Sequence, residues 1–174
     1  MFRYVLTVMV ALSLAQPAWA QPVPVEVEKT YKSPTLNGKT TGRYWGIPLF
    51  YAQLWTDQGK RFNRNGQFAL SLTYAYSFSA DFLARASVEE IARVEGNSPE
   101  THAKLERQLA SCLVDVRKGI RITGIATSAN TADMFVNGKK RCTLNYPNVR
   151  TRFFGIWLAP TSQDPKGAAR LRGG

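Results

Sequence analysis

The chain has 174 residues, 44% of them hydrophobic and 20% charged, which supports one globular domain with a real core and leaves no room for two of ordinary size. No internal repeat at roughly 20–50 residues is visible, so a solenoid or propeller is excluded. The formal charge of +11 would point to nucleic acid in a cytoplasmic chain.

Residues 1–20 read as an export signal that is not part of the fold. Arg3 supplies a positive n-region, Tyr4 to Ala15 a short apolar h-region, and Ala18-Trp19-Ala20 an A-x-A cleavage signal, so the mature chain is expected to begin at Gln21. The apolar run is too short for a transmembrane helix, and nothing later could span a bilayer. No Cys stands beside the cleavage site, which argues against a lipoprotein. The mature chain loses only Arg3 from its 23 Lys and Arg, against 12 Asp and Glu. A periplasmic or secreted location removes nucleic acid from reach. The basic charge is then left for an anionic envelope surface, an acidic ligand or plain solvation.

Residues 21–174 read as a single domain. Pro22 to Glu28 alternates Val and charge after prolines, an edge-strand pattern. Leu36-Asn37-Gly38-Lys39 reads as a turn, and Arg43 to Trp55 as one long strand interrupted by Gly46 and Pro48. Phe68, Leu70, Leu72, Tyr74, Tyr76 and Phe78 occupy alternate positions with small residues between them. That is a strand half-buried in an antiparallel sheet, its small-residue face open to water. Ser79 can cap the helix that follows, Ser87 with Glu90 forms a second capping box that would bend or break it, and Gly96-Asn97 ends it. Ser98-Pro99-Glu100 starts another helix with the stripe Leu105, Leu109, Cys112, Val116. Ile120 to Ala126 reads as a strand, and Asn137-Gly138 as a two-residue hairpin turn.

The chain closes on a helix from Pro147 to Pro160, with Val149, Phe153, Ile156, Trp157 and Pro160 on one face. Gly155 inside it costs about 1 kcal/mol relative to Ala, which predicts close approach to another backbone. A short basic tail follows. Strands, two helices, strands and a helix give an α+β class: a curved antiparallel sheet with a helical layer on one face.

Chemistry-bearing residues are sparse. One histidine, His102, in a polar stretch reads as a surface residue, and two cysteines thirty residues apart offer no metal-ligand spacing, so no metal and no cofactor are expected. No phosphate-binding glycine loop precedes a helix. Carboxylate pairs such as Glu89 and Glu90 read as a solvated helix face. Export and position together predict a Cys112–Cys142 disulfide: Cys112 lies on the inward stripe of its helix, and Cys142 alternates with Leu144 on its strand. Two buried free thiols are the alternative.

Five stretches in order carry a family resemblance over Leu36 to Leu171. They are Gly42-Arg43-x-Trp-Gly leading into Phe50-Tyr51-Ala52-Gln53-Leu54-Trp55, the Tyr74 to Leu83 passage, Lys118-Gly119-x-Arg121-Ile122-Thr123, Val136-Asn137-Gly138, and Phe153-Phe154-Gly155-Ile156-Trp157-Leu158-Ala159-Pro160. The chain resembles bacterial exported chalcone-isomerase-like proteins. The resemblance implies an open-faced sandwich with an apolar cleft between sheet and helices. Plant members of that fold cyclise chalcones with an arginine and a threonine on early strands and a tyrosine and an asparagine on a helix. Arg43 matches the arginine, but the threonine position falls on Phe50 or Tyr51, and residues 99–113 contain no tyrosine or asparagine. Non-catalytic relatives bind fatty acids. The resemblance therefore implies a non-catalytic binder of a small apolar or amphipathic anion, with Arg43, Phe50, Tyr51, Tyr74, Tyr76 and Trp157 lining the site. An isomerase or intramolecular lyase using Arg43 electrostatically is the alternative, and a basic envelope scaffold the second.

Overall fold

A computed structural model describes residues 22–174; the expected signal segment lies outside the described residues. Six strands form one antiparallel sheet in sequential order: β1 (Pro34–Tyr44), β2 (Ile47–Asp57), β3 (Ala69–Tyr74), β4 (Arg121–Ala126), β5 (Thr131–Val136) and β6 (Lys139–Asn145). Two tight hairpins set much of this register. Asn137 and Gly138 both take positive φ, as expected of a mirror-image two-residue turn. Trp45 and Gly46 do the same, at φ 49° and 78°, with Tyr44 paired to Ile47 across them. The expected single strand from Arg43 to Trp55 is therefore a hairpin turn plus β2. The expected turn at Leu36 to Lys39 is instead an irregularity inside β1, where the register shifts between Leu36 and Gly38. Gly38 is required there, because a Cβ would collide with the backbone carbonyls of Arg170 and Leu171.

One face of the sheet carries the helical layer. Ala52, Leu54, Leu70, Leu72 and Tyr74 pack there with α2 (Ala80–Glu95), α3 (Ala103–Cys112) and α4 (Val149–Leu158). The Ser79 hydroxyl accepts from Phe82 N, and Gly96 closes α2 in the left-handed conformation. The expected break at Ser87 does not occur. Ser87 Oγ donates to Leu83 O at 2.7 Å, a bond inside the helix, and Glu90 is engaged by Arg93. A 3-10 turn at Pro99–His102 leads into α3. In α4 the buried face is Val149, Phe153, Phe154 and Leu158, whereas Ile156 and Trp157 are half-buried and Pro160 is exposed. Pro147 lies outside the helix. No backbone approaches Gly155: a Cβ there would meet only the Ala159 Cβ, at 3.9 Å. The expected basic tail contains a further helix, α5 (Pro165–Leu171), capped by the Asp164 carboxylate on Gly167 N.

The opposite face is not open to water throughout. The expected N-terminal edge strand is a helix, α1 (Val25–Thr30). The Val-charge alternation hides a second pattern: Val27 and Tyr31, four apart, pack on Trp55, Ala69 and Ile125. Glu26 is fully buried beneath α1, accepting from Thr123 Oγ1 at 2.5 Å and from Arg121 Nε and Nη2 at 3.2 Å. Ser71 hydrogen-bonds Thr123 at 3.0 Å. The small residues of β3 thus make room for a helix and a polar network.

Cys112 and Cys142 form a disulfide with Cα atoms 5.6 Å apart, tying the end of α3 to β6. On the chain-entropy model, closing a loop of this length stabilises the fold by about 3–4 kcal/mol. The Cys112→Ala, Cys142→Ala double variant should lose about that much in urea unfolding; a loss under ~1 kcal/mol would count against a stabilising role for the bond.

Candidate ligand-binding cleft

A cleft of about 830 Å³ lies along β1 and β2. Strand alternation assigns its lining. Lys39, Thr41, Tyr51, Gln53 and Thr73 share the face that α1 covers lower down, through the pairs Lys39–Gln53, Thr41–Tyr51 and Tyr51–Thr73. Thr40 and Ala52 belong to the helical side, joined by Gln163, Asp164 and Arg170 at the start of α5 and within it. Arg43 follows a second register shift, between Gly42 and Arg43, and donates from Nη1 to Gly46 O at 3.0 Å. The lining holds three cations, Lys39, Arg43 and Arg170, and one carboxylate, Asp164, which lies 3.7 Å from Arg170 Nη2. The balance of charge favours an anion.

The α5 side of the cleft is held by Glu90. Its carboxylate takes Arg93 Nε and Nη2 at 2.8 and 2.7 Å and Gln163 Nε2 at 2.8 Å, while Arg93 also donates to Thr161 O at 2.6 Å. Burial raises the Glu90 carboxyl, but the hydrogen bonds from Arg93 and Gln163 outweigh it and hold the group below its ordinary value.

Of the six expected lining residues, Arg43 and Tyr51 stand at this cleft. Phe50 and Tyr74 point to the helical side, their rings 6.4 Å apart edge to face, and fill the space expected to be a slot between sheet and helices. Burial pushes the Tyr74 phenol well above the usual tyrosine range, so it is held neutral. Trp157 packs edge to face on Phe153 at 5.4 Å. Tyr76 is 55% exposed, beyond the end of β3. Gln163, Asp164 and Arg170 are additions that follow from α5, whose N-cap Asp164 and N1 Pro165 are the legible signal.

His102 is buried rather than on the surface. Its Nδ1 lies 3.1 Å from Tyr146 Oη, and its Nε2 lies 3.2 Å from Asn97 Oδ1 and 3.3 Å from Glu95 Oε2. Glu95 is also 2.6 Å from Arg152 Nε. The cluster joins the end of α2 to the start of α4, and none of it lines the cleft.

Neither protein-family models nor curated protein sequences match this chain. Among solved structures, the chain is similar to a fatty-acid binding protein of Arabidopsis thaliana, with a TM-score of 0.63 over 82% of this chain and 88% of that one, at 10% identity. The likeness establishes the fold: an open antiparallel α+β sheet of the chalcone-isomerase type.

A folded-state acidity held below the ordinary value gives stability that is present above the unfolded pKa of about 4.3 and lost as pH falls through the folded one. The stability difference between wild type and Glu90→Gln should therefore be present at neutral pH and shrink below about pH 4. A difference in urea midpoint that does not change with pH would show that Glu90 does not titrate in this way.

Proposed function

We propose that this protein binds a small amphipathic anion of the fatty-acid class and catalyses no reaction on it. The observation that carries the reading is the cleft along β1 and β2, whose lining carries Arg43 and Lys39 with Tyr51. A guanidinium can give a carboxylate two parallel charge-assisted hydrogen bonds, and the Tyr51 ring with the threonine methyl groups offers an alkyl chain partial apolar contact. The fatty-acid binding protein of the same fold supports this class of ligand. Binding is preferred to catalysis because α3 carries no tyrosine or asparagine to stabilise a developing enolate.

Palmitate added to lipid-stripped protein should appear as a single bound equivalent in native mass spectra. Arg43→Ala should weaken it about tenfold by calorimetry, the loss of one charge-assisted contact. Palmitate and hexadecanol binding equally well, or an unchanged affinity in Arg43→Ala, would remove the arginine-carboxylate pairing.

The second reading, an exported protein that works against an anionic envelope surface, rests on the hairpin tip. Tyr44, Trp45 and Ile47 are 67%, 88% and 54% exposed. Tyr76 follows them, its N–H bonded to Leu49 O at 3.3 Å, and exposed Arg117 and Lys118 precede Gly119, whose N–H bonds Tyr74 O at 2.8 Å. Aromatic groups beside cations suit the headgroup level of an anionic bilayer. In a Gram-negative host the processed protein should have the mass of a chain starting at Gln21 and should pellet with vesicles of phosphatidylethanolamine and phosphatidylglycerol. Trp45→Ser with Ile47→Ser should reduce pelleting several-fold. Retention of Arg3 would end the export reading, and unchanged pelleting of the double variant would end the role of the tip.

A further inference from the structure

Three features meet at a second cavity, of about 340 Å³, between the β2–β3 connection and α4. The first is its chemistry. Phe62 and Phe154 supply apolar wall; Arg64, Arg150 and Arg172 supply three guanidinium groups, and no carboxylate lines the cavity. Three cations around a partly enclosed apolar space repel one another and attract an oxyanion.

The second is Arg150. Its Nη1 makes one long contact to Gly66 O at 3.4 Å, while its Nε is buried without a hydrogen-bond partner. A buried donor left unpaired is costly, and so the Arg150 guanidinium is poorly satisfied by the protein itself. Arg172 is held differently, by donating from Nη1 to Leu158 O at 2.6 Å, which fixes its guanidinium at the rim.

The third is Gly155, which lines the cavity from inside α4. Glycine in a helix interior is unfavourable, and here neither positive φ nor a close backbone requires it. What its missing side chain leaves is space in the cavity.

We infer that this cavity is a second ligand site, distinct from the cleft along β1 and β2, and that it takes a small aromatic carboxylate. The carboxylate lies among Arg64, Arg150 and Arg172, and the ring lies against Phe62 and Phe154 beside Gly155. The volume separates the two sites by ligand size: the smaller suits a one- or two-ring acid, the larger an extended chain. The inference does not depend on the fatty-acid reading of the larger cleft.

The test is titration of 2-naphthoate into the lipid-stripped protein, followed by naphthyl fluorescence and by calorimetry. One saturable site is expected. Gly155→Leu should abolish it by filling the cavity without lowering the melting temperature, since little would obstruct the new side chain. Arg150→Gln should weaken it at least tenfold, and it remains the decisive variant if Gly155→Leu does not fold. Arg43→Ala should leave it unchanged. The inference is overturned if naphthoate shows no saturable site, or if its binding survives Arg150→Gln at full strength. It is equally overturned if binding is lost in Arg43→Ala, which would place naphthoate in the larger cleft. Inorganic sulfate binding as tightly as naphthoate would reduce the site to a simple cation cluster and overturn it too. Palmitate binding that fails while naphthoate binding holds would count against the larger cleft alone.

Discussion

The pairing of β3 with β4 is the constraint on which the rest depends. These strands are neighbours in the sheet, with Ala69 opposite Ile125 and Thr73 opposite Arg121. Yet the chain between them leaves the sheet at Tyr74, builds α2 and α3, and returns at Arg121. Closing so long an excursion costs chain entropy before any sheet contact is gained. The neck is therefore tied several times. Tyr74 N donates to Ile120 O at 2.9 Å, Gly119 N donates to Tyr74 O at 2.8 Å, and Phe78 and Val116 bridge each other. The far end of the excursion is fastened by the Cys112–Cys142 bond to β6, and by Gln108, whose side chain bonds the backbone of Asn145 at both N–H and C=O. The helical layer is thus anchored at the centre of the sheet and at its β6 edge, and its apolar face has one place to go.

Because that layer occupies one face, the other face is divided by α1. Val27 and Tyr31 take the ground over Trp55, Ala69 and Ile125, and Glu26 reaches Thr123 and Arg121. A six-residue helix has little stability of its own in water. Its place depends on this apolar contact and on a buried carboxylate, whose removal would take from Arg121 its ion-pair partner and from Thr123 one of its two hydrogen bonds. α1 packs over Trp55, Ala69 and Ile125, whereas Thr41, Tyr51 and Thr73 on the same face line the larger cleft. The cleft is there because the covering helix is short.

Local signals are legible where one residue type has one conformational use. Asn137-Gly138 reads as a hairpin because few other pairs accept two positive φ values; Ser79 reads as a cap because the helical stripe begins just after it. The layer class is also legible, from the alternation Phe68 to Tyr74 and the stripe Leu105, Leu109, Cys112. The failures share a cause: a local pattern with two physical solutions, between which tertiary contact decides. Trp45-Gly46 lacks the usual Asn, so the hairpin merges with the apolar run beside it. Val25-Glu26-Val27-Glu28 alternates like a strand, but the polar pair Ser71 and Thr123, distant in sequence, gives Glu26 a reason to be inside. Of the site, Arg43 and Tyr51 are legible through the family resemblance, whereas the Gln163 to Arg170 side requires knowing that α5 folds back on Thr40.

Charge pairing separates the arginines that build the fold from those available to a ligand. Acids are outnumbered, 12 against 23 Lys and Arg, so many cations must lack a carboxylate partner. The carboxylates that join distant segments are committed: Glu26 to Arg121, Glu90 to Arg93 beside Gln163, and Glu95 to Arg152 and His102. Arg43, Arg150 and Arg172 instead donate to backbone carbonyls, which orient a guanidinium without neutralising it. A neutralised arginine has little left to offer an incoming anion, while an oriented and unneutralised one keeps its full charge and several free donors. All three of these arginines stand at the two cavities. The net positive charge of the chain is, on this view, not spread evenly as a solubility device, because part of it is held in place where the surface is concave.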